Sequence, residues 1–213
     1  EKPDENSLEG DSMGFLTEYH DNEVTIGKLK FFINPAFDIV LQVQELFAEE
    51  ELSEQDKVEQ ALRMLVLNTM RLNWMDPHKK VLLLKEIYKK CINTMKHPPT
   101  RRKQRVLDFE YDGEYIYSSF MMDYGIDLIE EQGKLHWKKF IILFQGLSDR
   151  TKIREIMRIR AMDIPEYNGK NGKYVQEIQD LKSYYALPVK GGGGQSGLDT
   201  LFSTLEGMAV KRG

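Results

Sequence analysis

The chain is short of the residues that metal centres, disulfides and membrane spans require. It has a single cysteine, Cys91, in 213 residues, which excludes an internal disulfide and fits a reducing compartment. A cysteine nucleophile needs a base beside it, so Cys91 reads instead as a small buried apolar residue on a helix. The four histidines, His20, His78, His97 and His136, lie far apart without an HExxH pattern or a cysteine pair. No zinc site is expected from them. No apolar run approaches the roughly 20 residues that cross a bilayer, and no basic stretch leads into an apolar one as in a secretory signal. The glycines from Gly191 to Gly197 lack the Gly-Lys-Ser/Thr ending of a phosphate loop, and no strand precedes them.

What is present is an ordinary globular composition, 41% hydrophobic and 30% charged, long enough for one full core plus appendages. The net charge of −4 conceals a division along the chain. Residues 1–78 carry 17 acidic and 6 basic side chains, residues 79–105 carry 1 acidic and 10 basic, and the remainder is near balance with 16 and 14. The basic block has two readings. It is either a contact for nucleic acid or an acidic protein surface, or the solvated face of a lysine-rich helix followed by the connector Thr100–Arg105, which includes Arg101, Arg102 and Lys103. Aromatic residues do not alternate with its charges as single-strand binding wants, which favours the second.

Three segments are expected. Residues 1–14 are polar and predicted to be disordered. Because Glu1 opens the chain, residues 1–12 read as a tag remnant or as the tail of an upstream frame with Met13 as an internal start. Residues 15–188 form one domain. It begins with short strands, FLTEYH, EVTI and KLKFFI, that alternate with period two around turn residues. Helices follow. Asn34-Pro35 opens the first as N-cap and first turn. Ser53 with Asp56 caps a second that carries Val58, Ala61, Leu62, Leu65, Val66 and Met70. Asp76-Pro77 opens a third, Asp112 caps a fourth that ends at Gly125, and Ser148 caps one bearing Ile153, Ile156, Met157 and Arg160. The last runs from about Tyr174 to Ala186. Residues 189–213 form a glycine-rich linker and a short amphipathic helix whose face is Leu198, Leu201, Phe202, Leu205 and Met208. Alone in water such a helix is marginal, so its face wants a partner. The fold class is mainly α: a bundle of about six helices with a small N-terminal β-hairpin or meander and a flexible C-terminal extension.

The densest information lies between Leu107 and Leu147, which reads as two short helices joined by a turn. From Leu135 to Phe144 the pattern is apolar around almost the whole circumference, with Lys134, Lys138 and Gln145 as a narrow polar stripe. That pattern predicts a helix buried at the centre of the bundle. Asp108, Asp112, Asp123 and Asp127 resemble a carboxylate cluster, yet most sit where caps and turns call for aspartate. By that reading Asp112→Asn is neutral, since asparagine caps as well. Tyr117 and Tyr124 share a helical face and close the core with their hydroxyls at the rim. Met64, Met70, Met75, Met95, Met121 and Met122 either line an adaptable groove or fill gaps in the core. No motif specifies a reaction, and no catalytic, cofactor or metal site is expected.

The residues Asp108, Phe109, Tyr111, Asp112, Ile116, Tyr117, Phe120, Tyr124, Gly125, Ile126, Asp127, Leu128, Leu135, His136, Trp137, Lys139, Phe140, Leu143, Phe144, Gly146 and Leu147 form a pattern that resembles the bacteriophage gene-product-15 family. The likeness continues through Ile156-Met157, Ile159-Arg160, Asp163 and Tyr184-Tyr185-Ala186-Leu187-Pro188. It departs at Lys138, where the family has a second tryptophan, and at Ile153, where an aromatic is usual. The resemblance implies a role in siphophage tail morphogenesis in the bacterial host cytoplasm, because the family's gene usually lies between those of the major tail protein and the tape measure protein. It implies a tail assembly chaperone that binds the tape measure protein and recruits tail-tube subunits, with homo-oligomerisation possible. The competing readings are a permanent structural part of the tail and a nucleic-acid-binding phage protein that uses the 79–105 block.

Overall fold

A two-residue turn at Gly27-Lys28, with Gly27 at φ +60, joins strands β1 (Glu23–Ile26) and β2 (Leu29–Phe32) into an antiparallel hairpin. A positive φ at the first turn residue suits the right-handed twist of the flanking strands. The register pairs Val24 with Phe31, and these inward-facing side chains enter the core. The computed structural model describes residues 22–49, 51–93 and 105–188. The expected strand FLTEYH, residues 1–14, Arg101, Arg102 and Lys103, and the Leu198–Met208 segment lie outside the described residues.

Seven α-helices follow among the described residues: α1 (Phe37–Ala48), α2 (Glu54–Leu65), α3 (Pro77–Ile87), α4 (Gly113–Tyr124), α5 (Trp137–Gln145), α6 (Lys152–Ala161) and α7 (Gly172–Tyr184). The protein is mainly α with one small antiparallel sheet at the N-terminal side. A 3-10 turn, Thr69–Trp74, separates α2 from α3, and a π-turn, Tyr88–Ile92, extends α3 and buries Cys91. α2 packs between α1 and α3, and α3 covers the hairpin; α6 joins α4 to α7. α5 lies between α1 and the aromatic side chains of α4.

Several helix starts follow local chemistry. Ser53 Oγ accepts from the Asp56 amide at 3.2 Å and donates to its carboxylate at 2.6 Å, while Asp76 Oδ1 accepts from the His78 amide at 2.8 Å. Each satisfies a first-turn amide that has no partner within the helix. Gly125, at φ +64, closes α4 in the left-handed conformation.

Others are overruled by tertiary contacts. Asn34-Pro35 does not open α1; the helix begins at Phe37. Residues 33–36 are held extended because Ile33 bridges to Val66 and Ala36 to His136, and the Asn34 side chain donates to the Gly133 carbonyl at 3.2 Å. The same Ile33–Val66 bridge ends α2 at Leu65, so Met70 sits on the 3-10 turn, 82% exposed, rather than on the α2 core face. Ser148 does not cap α6, which starts after Thr151. The Ser148 amide and hydroxyl instead donate to Asp123 at 2.7 and 3.1 Å, tying the start of the α5–α6 connection to the end of α4.

The centre of the core is Phe140. Its ring meets five others: Phe37 at 4.8 Å between centroids, Phe120 at 5.2 Å, Trp137 at 5.7 Å, Phe109 at 5.8 Å and Phe144 at 6.4 Å. Offset-stacked and edge contacts of this kind add to the burial of aromatic area. Yet α5 is not buried all round. Trp137, Phe140 and Phe144 face inward, Ile141 and Leu143 are half-buried, and Ile142 is 43% exposed. The helix has one inner face, and its apolar outer residues lie at the surface.

Candidate functional site

The N-termini of α1 and α5 are fastened side by side. The Phe37 amide donates to the Leu135 carbonyl at 2.9 Å, and the Trp137 amide to the Pro35 carbonyl at 2.8 Å. His136 occupies the N-cap of α5, where its Nδ1 accepts from the Lys138 amide at 3.0 Å. The turn before it is shaped by Asp127, whose carboxylate accepts from the amides of Ile129 and Glu130 and from the Tyr117 hydroxyl at 3.1 Å. That last bond raises the phenol above its ordinary range, so Tyr117 stays protonated. Tyr124 performs the same service at the other end of α4, donating to the Leu143 carbonyl at 2.9 Å. Gly146 leaves room for it, since a Cβ there would meet the Tyr124 hydroxyl oxygen at 3.0 Å.

A second fastening joins α4 to α6. Asp112 stands at the N-cap of α4 but caps nothing with its side chain. Its fully buried carboxylate accepts both ends of the Arg160 guanidinium, at 2.6 and 2.8 Å, and also the Asp108 amide at 3.0 Å. Arg160 donates further to the carbonyls of Val106 at 3.1 Å and Tyr185 at 2.6 Å. Asp108, likewise buried, accepts from the amides of Glu110 and Tyr111 and pairs with Arg105. Reading Asp112 as a cap therefore understates it. A bidentate pair removed from water needs such saturation to offset its desolvation. Asp108, Asp112, Asp123 and Asp127 are each engaged by donors. No group of three or more histidine, cysteine or acidic residues that could hold a metal ion occurs among the described residues.

Between these two fastenings lies an open apolar groove of about 370 Å³. α1 supplies Phe37 and Leu41, the start of α4 supplies Ile116 and Tyr117, the 127–133 turn supplies Leu128 and Ile129, and Phe109 and Phe140 contribute to the lining. Ile129 stands on its lip, 65% exposed. The rim is acidic: Glu114 lines it, and Glu45 lies one turn beyond Leu41 on the same face of α1. Local desolvation first, and the negative charge of Glu110 second, hold the Glu45 carboxyl above its ordinary range. Two like charges thus share this end of the groove.

A second apolar surface is built by β2 and the 3-10 turn. The Leu67 amide donates to the Phe32 carbonyl at 2.8 Å, and Asn68 Oδ1 accepts from the Phe32 amide at 3.0 Å. Phe32, Leu67, Met70 and Trp74 are exposed along this ridge, Trp74 by 93%. The chain's two tryptophans are opposites: Trp137 is wholly buried, and Trp74 is almost wholly in water.

The structure gathers the pattern residues Asp108, Phe109, Asp112, Phe120, Tyr124, Gly125, Asp127, Leu135, His136, Trp137 and Phe140 around α4 and α5, mostly as scaffold. Of these, only Phe109 and Phe140 line the groove. The methionines do not gather there: Met75 is buried, Met64, Met70, Met121 and Met122 are exposed on other surfaces, and Met95 lies outside the described residues. Sequence reasoning missed Leu41, Ile129 and the ridge. The apolar pair Leu128-Ile129 inside the turn 127–133 was the one available signal for Ile129.

No curated protein and no solved structure gives a significant match to this chain. A family model described as Bacteriophage Gp15 protein matches residues 20–187, a span that takes in α1 to α7, the buried Asp112–Arg160 pair and the whole lining of the groove. The chain therefore belongs to the bacteriophage Gp15 protein family, a family of phage structural and morphogenesis proteins.

Proposed function

We propose that the protein is a tail assembly chaperone, which holds a helix of the phage tape measure protein and brings tail-tube subunits to it in the host cytoplasm. The observation that carries this reading is the open groove beside α1 and α4, lined in part by Phe109 and Phe140 of the family pattern. A groove walled by helices and lined by apolar side chains suits an amphipathic helix that lays down anchors at i, i+3, i+4 and i+7. A factor that recruits one protein onto another also needs a second surface. The Phe32–Leu67–Met70–Trp74 ridge lies on different elements from the groove, and exposed tryptophan is a frequent interface anchor. The basic side chains give less support to nucleic-acid binding: Lys80 turns to Glu59 at 2.5 Å, and Lys90 donates to the Glu23 carbonyl at 2.7 Å.

The test is co-expression with the tape measure and tail-tube proteins of the same phage, followed by co-purification. The wild-type protein is expected to retain both. Ile129→Asp is expected to lose the tape measure protein at least tenfold, and Trp74→Ser to lose the tube protein, without change in fold because both side chains are exposed. Failure of the wild-type protein to retain either partner sinks the reading. Persistence of the protein in purified virions would instead make it a permanent tail component.

A further inference from the structure

The course of the chain beyond α7 bears on what occupies the groove. The end of the described chain is bound against α4: Arg160 links the Tyr185 carbonyl to the Asp112 carboxylate, the Tyr185 ring meets the Tyr115 ring edge-on at 6.4 Å, and the Lys152 ammonium lies 5.1 Å from the Tyr185 ring centroid. Tyr115 lies on the side of α4 roughly opposite Gly113 and Tyr117, which line the groove. The chain therefore leaves the domain about one helix diameter, on the order of 10 Å, from the groove. Residues 189–197 (Val189, Lys190, four glycines, Gln195, Ser196 and Gly197) follow. Nine residues reach up to about 30 Å when extended, ample to pass around the start of α4.

What those residues carry matches the groove in shape and in charge. Leu198, Leu201, Phe202, Leu205 and Met208 fall at helical spacing, with Lys211-Arg212 after them. The groove is apolar where Leu41, Ile116, Leu128 and Ile129 line it, and acidic one turn further along α1, at Glu45 with Glu110. In a helix, Lys211 would stand about 9 Å beyond Leu205. Leucine and phenylalanine anchors over Leu41 and Ile129 would thus bring the two cations to the two glutamates.

We propose that the segment 198–212 docks into the α1–α4 groove of its own chain, with Leu201, Phe202 and Leu205 against the apolar wall and Lys211-Arg212 against Glu45 and Glu110. This rests on the reading of the groove as a helix-docking surface and deepens it: the segment is a first occupant of the groove, in competition with an incoming helix. Tethering makes the covering intramolecular, so a weak contact suffices to exclude non-specific apolar partners. It yields to a partner that is longer or better matched.

Hydrogen exchange on the full chain alone, with no other tail protein present, tests this. Amides of 198–208 are expected to exchange at least tenfold more slowly than in an unstructured peptide, independently of protein concentration. Phe202→Asp and Ile129→Asp should each abolish that protection. Glu45→Lys with Glu110→Lys should weaken it, and adding Lys211→Glu with Arg212→Glu should restore it. Exchange at unstructured rates in the wild-type chain overturns the proposal, as does protection that survives both aspartate variants or that grows with concentration as dimers form. These outcomes are separate from co-purification with the tape measure protein. A chain that captures that protein yet shows no protection of 198–208 loses only the self-docking, and a protected chain that captures nothing loses only the chaperone role.

Discussion

At the scale of single residues, position in a helix does not disclose what a side chain does. Asp112 occupies an N-cap, yet its carboxylate is spent on Arg160 and on the Asp108 amide. Asparagine caps as well as aspartate, but it cannot answer a guanidinium that is itself buried. Asp112→Asn is therefore expected to destabilise the protein by roughly 3–5 kcal/mol, the usual cost of leaving one partner of a buried pair uncompensated. Denaturant titration measures it. A loss below about 1 kcal/mol would return Asp112 to the role of a replaceable cap. The double variant Asp112→Leu with Arg160→Met should recover part of the loss, because removing both charges also removes the unpaired one.

At the scale of elements, α2 and α3 are joined by packing and by one ion pair that titrates. Glu59 on α2 accepts from Lys80 on α3 at 2.5 Å and from Arg63 at 3.1 Å. Its carboxyl is held below the ordinary value of 4.5, chiefly by the Lys80 hydrogen bond and further by the Lys80 and Arg63 charges, against the opposing effect of burial. Because the folded value lies below the unfolded one, the stabilisation is fully present above the unfolded value and is lost as pH falls through the folded value. The Glu59 side chain is 29% exposed, which limits the contribution to about 1 kcal/mol. Glu59→Gln should therefore lower the unfolding midpoint at neutral pH, with the difference shrinking to nothing in acid. A difference that stayed constant down to strongly acidic pH would assign the effect to packing instead.

At the scale of the whole molecule, charge and apolar surface are segregated in different ways. The charge division is sequential, with a basic block at 79–105 inside an otherwise acidic chain. Exposed apolar residues include Ile129 at the groove lip and the group Phe32, Leu67, Met70 and Trp74 on the ridge. No helix among the described residues is long and apolar enough to cross a membrane. If the basic block met nucleic acid, affinity would fall steeply with salt as neutralised phosphates released counterions. The protein is expected to bind DNA and RNA no more tightly than about 1 μM at physiological salt. A salt-steep gel shift that disappears when Arg101, Arg102, Lys103 and Arg105 are replaced would make nucleic acid a partner after all.

The sequence by itself determined the helical class, the hairpin formed by EVTI and the strand after Gly27, and the caps at Ser53, Asp76 and Gly125. Each of these depends on residues within a few positions of one another, so local chemistry suffices. The aromatic concentration between 107 and 147 likewise marked the centre of the core, because rings at helical spacing have to be buried together. Tertiary structure alone decided the rest. The Ile33–Val66 and Ala36–His136 bridges moved the start of α1 and cut α2 short, and Asp123 drew Ser148 away from α6. The groove joins Leu41, Phe109, Ile129 and Phe140 from segments up to about a hundred residues apart. The end of α7 came to rest on α4 through the guanidinium of Arg160 and the Tyr115–Tyr185 ring contact. Such contacts depend on which surfaces remain to be paired once the core has closed, and no local pattern records that.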